Sequence, residues 1–198
     1  MPLSKIQAES MNLADTYAFT GTVSGAGSLV KLYSSASSDS VSQLILDSTY
    51  INSTYDNYKI IIGYTVDTDG TRMDAQFYVG GTKVTGTDYS YELGALTSST
   101  YTYDADGATQ MQLSHTMGNA SGETQTLILD LTNVNSTTIA TRLHGFHYGG
   151  ATNVNTVGRA VQAGQDAGAF ASVVNGIEFF PHQGTAKFLH FTLYGYTK

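Results

Sequence analysis

Between Thr126 and Thr132 every second residue is leucine: Leu127, Leu129 and Leu131 alternate with Thr126, Ile128, Asp130 and Thr132. Side chains of an extended strand point to opposite faces in turn, so this spacing predicts a half-buried β-strand with its leucines in a core. The run from Lys187 to Tyr196 has the same period. It predicts Leu189, Phe191 and Leu193 facing inward and His190, Thr192 and Tyr194 facing away. Tyr58 to Val66, YKIIIGYTV, is β-branched and aromatic almost throughout, which predicts a long strand. Asp69-Gly70 follows, a pair favoured in two-residue hairpin turns, and Met73 to Val79 reads as the answering strand, closed by Gly80-Gly81.

Shorter strands are predicted at Ser42–Leu46, Gln110–Leu113, Thr138–Tyr148 and Thr156–Ala163, with Asp106-Gly107 as another turn. Phe170 to Phe180 contains Asn175-Gly176 and reads as a hairpin or a bulged strand. After residue 40 no helical window of about 12 residues occurs. Short strands separated by turn signals predict an all-β chain, an antiparallel β-sandwich of jelly-roll-like character.

The first 40 residues differ. Leu3, Ile6, Met11, Leu13, Tyr17 and Phe19 stand among polar residues, and Ser4-Lys5-Ile6-Gln7 has capping-box spacing, so one or two helical turns near residues 5–13 are expected. GTVSGAGS at 21–28 and SSASSDSVS at 34–42 are small and polar, the composition of flexible connectors. Residues 1–40 therefore read as an extended or short-helical arm with a linker, and residues 41–198 as the sandwich domain. The opening MPLSKIQAES lacks the charged start and apolar run of a secretory signal.

Composition removes several function classes. The formal net charge is −7, with 9 Lys+Arg and no basic cluster, which argues against nucleic-acid binding. No apolar run is long enough for a membrane-spanning helix, so membrane insertion is not expected. With no Cys, disulfides, thiol nucleophiles and iron–sulfur clusters are impossible. There is no Gly-x-Ser-x-Gly elbow and no phosphate loop. A glycosidase pair could in principle be drawn from the scattered Asp and Glu residues, but nothing in the sequence selects one pair.

Two segments have calcium-loop overtones, Asp67-Thr68-Asp69-Gly70 and Asp104-Ala105-Asp106-Gly107. Neither supplies both the third oxygen ligand and the closing Glu of that pattern, and both read as turns. His144 and His147 are three apart, so on a strand they face opposite sides and cannot jointly hold a metal. Neither a cofactor nor a metal is expected. The chain does hold 14 Tyr on a background of 19 Ser, 27 Thr and 21 Gly. Tyrosine combines a rigid apolar ring with one polar atom, which suits adaptable binding surfaces. Tyr89, Tyr91, Tyr101 and Tyr103, in the stretch 82–110, are the candidate receptor-contact surface. Tyrosine is equally a good strand former.

The opening LSKIQAESMNLADTYAFTGTVSGAG resembles the N-terminal segment of small structural proteins of tailed bacteriophages, notably those of marine and cyanobacterial hosts. Tyr55-Asp56-Asn57-Tyr58-Lys59-Ile60-Ile61-Ile62 is similar to a strand opening in those proteins. The ending, from Gly176-Ile177-Glu178-Phe179-Phe180 to Phe191-Thr192-Leu193-Tyr194-Gly195, resembles their closing pair. The resemblance covers about a third of the chain and contains no catalytic motif. It implies a non-enzymatic virion component, a tail fibre, knob or capsid-surface protein on the tail or capsid surface. Such a protein is often a homotrimer that docks on other virion proteins through its arm, here Leu3, Ile6, Met11, Leu13 and Phe19. The β domain would then serve host attachment through surface polysaccharide. Capsid decoration, or a free carbohydrate-binding lectin module, are the alternatives.

Overall fold

The computed structural model describes residues 28–36, 39–95, 102–149, 157–165 and 172–198. The arm residues Leu3, Ile6, Met11, Leu13 and Phe19 lie outside them. Among the described residues there is no helix, and the strands are antiparallel throughout. They run β1 (Leu29–Ser35), β2 (Ser40–Val41), β3 (Leu44–Leu46), β4 (Tyr58–Val66), β5 (Met73–Val79), β6 (Thr82–Lys83) and β7 (Tyr89–Ala95). The series continues with β8 (Thr102–Ala108), β9 (Met111–Gln112), β10 (Gln125–Thr132), β11 (Arg142–Gly149), β12 (Val157–Gln165), β13 (Val174–Pro181) and β14 (Ala186–Tyr196).

Two sheets result. The larger has the order β1-β14-β4-β10-β11-β12-β7-β8, with β2 also pairing β14. The smaller has the order β3-β13-β5-β6, with β9 also pairing β5. The chain steps between sheets at β3, β4 and β5, and returns through β13 and β14 to lie beside those same strands. That alternation joins the two layers of the sandwich. The other half of the larger sheet is a plain meander, β10-β11-β12, extended by the β7-β8 hairpin.

The core lies between the sheets. Tyr58, Ile60, Ile62 and Tyr64 on β4 and Leu127, Leu129 and Leu131 on β10 are fully buried on one side. Met73, Ala75 and Phe77 on β5, with Ile177 and Phe179 on β13, are buried on the other. The period-two leucines of β10 thus face the core as their spacing requires. Two tyrosines enter the core because their hydroxyls find partners there. The Tyr58 hydroxyl accepts from the Asn52 N–H at 2.9 Å and donates to Asn52 O at 3.0 Å, and that of Tyr64 meets the Met117 sulfur at 3.0 Å. A buried hydroxyl left unpaired would offset a large part of what burying its ring contributes.

Four expectations need correction. First, Asp69-Gly70 does turn, with Gly70 at φ 73°, but β4 and β5 do not pair: the turn arches from the larger sheet to the smaller. The tight hairpin is at Gly80-Gly81 instead, where φ values of 59° and 79° join β5 to β6, the two positive φ angles a type I′ turn requires. Second, Asp106-Gly107 is a bulge inside β8, opposite Ser90, and not a strand end. Third, the phase of β14 slips between Phe188 and His190, so Phe188 is buried and Leu189 exposed, while Phe191 and Leu193 face inward as expected. Fourth, Leu29–Ser35 is an edge strand of the larger sheet and not part of an arm. Tyr33 anchors it, with ring centroids 4.9 Å from Tyr50 and 5.7 Å from Phe191. Asn175-Gly176 lies at a bulge in β13, the second of the two readings left open.

Candidate functional site

Of the tyrosines nominated as a receptor surface, Tyr89 and Tyr91 turn towards the core. Tyr89 is fully buried; its hydroxyl accepts from Phe77 N at 2.8 Å and donates to Val84 O at 3.0 Å. Tyr91 is half-buried and packs against the same core. The reason is the period of β7: Tyr89, Tyr91 and Leu93 share one side of the strand, and Leu93 fixes that side as the inner one. Tyr103 lies on β8 with its backbone opposite Leu93, and Tyr101 lies outside the described residues. The Asp-x-Asp-Gly segments serve an arch and a bulge. Among the described residues no three His, Asp or Glu side chains are grouped to hold a metal. His147 is buried, with Nε2 3.2 Å from Gln125 Oε1, while His144 on the same strand is exposed.

A different site emerges on the outer face of the smaller sheet. Met73, Ala75 and Phe77 of β5 point into the core, so Asp74, Gln76 and Tyr78 point out. On β13, Ile177 and Phe179 point in, and Glu178 and Phe180 point out. The register sets Glu178 beside Gln76, Phe180 beside Asp74 and Gly176 beside Tyr78. Lys83 of β6 stands beside Tyr78, and Gln112 of β9 beside Asp74. Two carboxylates and their partners are thereby brought onto one surface.

Asp74 is the centre of the first group. Its Oδ1 accepts from Arg72 Nε at 3.0 Å, and its Oδ2 lies 2.9 Å from His182 Nδ1 and also accepts from the Gln110 amide. The same His182 Nδ1 also lies 3.1 Å from the Gln110 amide nitrogen, so Asp74, Gln110 and His182 form one hydrogen-bonded cluster. Burial pushes the Asp74 carboxyl above the usual carboxylate range, and the Arg72 and His182 charges pull against it without cancelling it.

Glu178 is the centre of the second. Lys83 Nζ lies 2.8 Å from Oε1, and the Tyr78 hydroxyl donates to Oε2 at 2.7 Å. Tyr78 reaches across because its strand neighbour is glycine. A Cβ on Gly176 would stand 3.1 Å from Tyr78 Cβ and 3.0 Å from Leu46 O. Burial, and then the Glu178 charge, push the Tyr78 phenol up to about 12. Between the groups, Gln76 is held by Thr109 O at 2.8 Å and Gln112 by Ser114 O at 2.8 Å.

Exposure divides this site into supports and contacts. The side chains of Asp74 and Glu178 are 0% and 2% exposed, whereas Arg72, Lys83 and His182 are 30%, 38% and 42% exposed. The carboxylates therefore hold the outer side chains in place, and the outer side chains meet whatever arrives. Both oxygens of each carboxylate are engaged within the protein. The alternation of β5, MDAQFYV, and of NGIEFFPH carried the signal for these outward rows. The register that joins them is long-range and has no local sign.

Comparison with known proteins matches the chain to no family model, no curated protein and no solved structure.

Proposed function

We propose that this chain is a non-enzymatic structural protein of a tailed-phage virion, a fibre or knob component. Its N-terminal residues dock on other virion proteins, and its β-sandwich binds glycans of the host surface. The resemblance of both chain ends to small phage structural proteins motivates the virion setting. The observation that carries the binding role is the outer face of the smaller sheet, where exposed Arg72, Lys83 and His182 are braced by buried Asp74 and Glu178. A surface whose polar groups are already positioned loses little freedom when a ligand lands on it. It supports binding over glycoside hydrolysis, because an acid–base pair needs carboxyl oxygens free to meet a substrate, and these four are occupied. Several copies in one virion, a homotrimer by this reading, convert weak single-site affinity into avidity.

The test is a phage whose copy of the gene lacks codons 1–27, beside the same truncated chain in solution. The deletion stops short of Ser28, whose carbonyl accepts from Thr197 N at 2.9 Å. The expected result is a folded trimer, by light scattering, that is absent from purified virions. Incorporation of the truncated chain at the normal level would overturn docking through these residues. A folded monomer with saccharide affinity in both forms would favour a free lectin module.

A further inference from the structure

Resting on that reading, we infer that the outer face of the smaller sheet takes a neutral, hydroxyl-rich saccharide chain, laid along β13 with Phe180 beneath it.

Charge selects the class. Arg72 and Lys83 bring two positive charges, and Asp74 and Glu178 bring two negative ones, so the face is neutral when His182 is neutral. An anionic polymer meets cations already spent on buried carboxylates. A cationic one cannot reach those carboxylates, and the −7 of the whole chain is not concentrated here. A neutral ligand needs only donors and acceptors in fixed places, and the face has both. Arg72 engages Asp74 through Nε, which leaves its terminal guanidinium nitrogens as donors, with no partner among the described residues. Lys83 adds ammonium protons, and His182 Nε2, the ring nitrogen turned away from Asp74, adds a donor or an acceptor according to the tautomer of the ring. Sugar hydroxyls give and take hydrogen bonds at once, which suits this mixture.

Geometry selects the direction. Glu178, Phe180 and His182 follow one another on the outward side of β13 and its extension, at spacings of about 7 Å. Phe180 therefore stands between the Lys83–Tyr78 group and the Arg72–His182 group. An aromatic ring flanked by polar groups is the arrangement that receives the apolar C–H face of a pyranose while its hydroxyls reach to either side. Ile45, exposed on β3 and in register with Glu178, extends the apolar floor.

The experiment titrates the full chain with neutral hexaoses (gluco-, manno- and galacto-configured) and, separately, with oligogalacturonate and dextran sulfate, following amide shifts by NMR. At least one neutral probe is expected to bind, with shifts centred on Tyr78, Phe180 and His182 and an affinity unchanged between low and high salt. Phe180→Ala and His182→Ala should each weaken it by about tenfold. Since Phe180 is half-buried, Gln110→Ala serves as a second probe of the same face if the Phe180 variant fails to fold, with a weakening of the same sign. Binding of the charged probes alone, with affinity falling in salt, overturns the inference. So does failure of every neutral probe, or neutral binding that none of the three substitutions changes. The unsubstituted chain is scored for entry into virions. Its entry without binding of any neutral probe overturns this inference alone, and its binding without entry overturns only the virion reading.

Discussion

The two sheets turn different surfaces outward. On the smaller sheet the charged groups are layered, with carboxylates 0% and 2% exposed beneath Arg72, Lys83 and His182, which are 30%, 38% and 42% exposed. On the larger sheet the corresponding group is flat. Lys59 meets Asp130 at 3.0 Å with both side chains 26% exposed, and the Tyr196 hydroxyl adds a 2.6 Å bond to the same carboxylate. Beyond it lie Ile61, Ile128, Phe146 and Tyr148, the last two with ring centroids 6.1 Å apart and both exposed. An ion pair in water adds little and is easily lost. A carboxylate sunk below its cation depends on that cation more, because water does not reach it to take the cation's place. The smaller sheet has accepted the cost of burying charge, and in return its outer side chains are held in position.

The largest effect expected from this contrast is in Lys83→Met. The substitution keeps most of the stem and leaves Glu178 buried with only the Tyr78 hydroxyl as partner. A loss of about 3 kcal/mol is expected, at the lower end for a broken buried pair because Tyr78 remains. Urea denaturation measures it. A loss below 1 kcal/mol would mean that water reaches Glu178 and that the layering is not what fixes the face.

Asp74 gives the pH signature of the same burial. Its folded carboxyl takes a proton more readily than the unfolded chain, whose reference value is 3.8. The folded state therefore binds more protons, and this group's contribution to stability is present below the unfolded value and lost as pH rises through the folded one. Against Asp74→Asn, which cannot titrate, the wild-type chain should gain relative stability as pH is lowered from neutral into the acid range. A relative loss over that interval would show that the Arg72 and His182 charges outweigh burial. A smaller effect is expected from Tyr78→Phe. It removes one hydrogen bond to a carboxylate, worth about 1.5 kcal/mol, and from alkaline absorbance titration it removes one phenol ionising at about 12. Below the ordinary phenol value of 10.0 the Tyr78 contribution is complete, and it is lost as pH rises towards about 12.

How far these features could be read from sequence depends on their range. β4 and β5 match their predicted bounds because nine and seven residues of continuous strand chemistry leave little alternative. The facing of Leu127, Leu129 and Leu131 follows from period alone. Leu189 departs from the period of its strand because of the bulge after Phe188, which has no Gly or Pro to announce it. Asp69-Gly70 signals a turn locally, but nothing local says that the next strand joins the other sheet. The site shows the same division. That Asp74, Gln76 and Tyr78 share a face is written in β5. That Glu178 and Lys83 complete the surface depends on β13 entering between β3 and β5, a pairing of distant segments. Tyr89 could have been set aside from its own strand, since Leu93 shares its parity, whereas a count of tyrosines says nothing about which way they point.

The smallest expected effect closes the comparison, and it falls on the larger sheet. Burial lowers the Lys59 ammonium and the Asp130 charge raises it, with a net upward result, so the pair is favourable throughout the pH range in which Asp130 is ionised and Lys59 charged. Lys59→Met removes it. Asp130 then keeps the Tyr196 hydroxyl and its own contact with water, so the expected loss is below about 1 kcal/mol. Lys59 and Lys83 are the same residue type, each on a carboxylate that also holds a tyrosine hydroxyl, and they differ chiefly in how deeply that carboxylate is buried. Measured side by side in urea, the two substitutions isolate burial as the variable. Equal losses would mean that depth below the cation does not set the strength of these groups, and the rigidity ascribed to the smaller sheet would lose its physical basis.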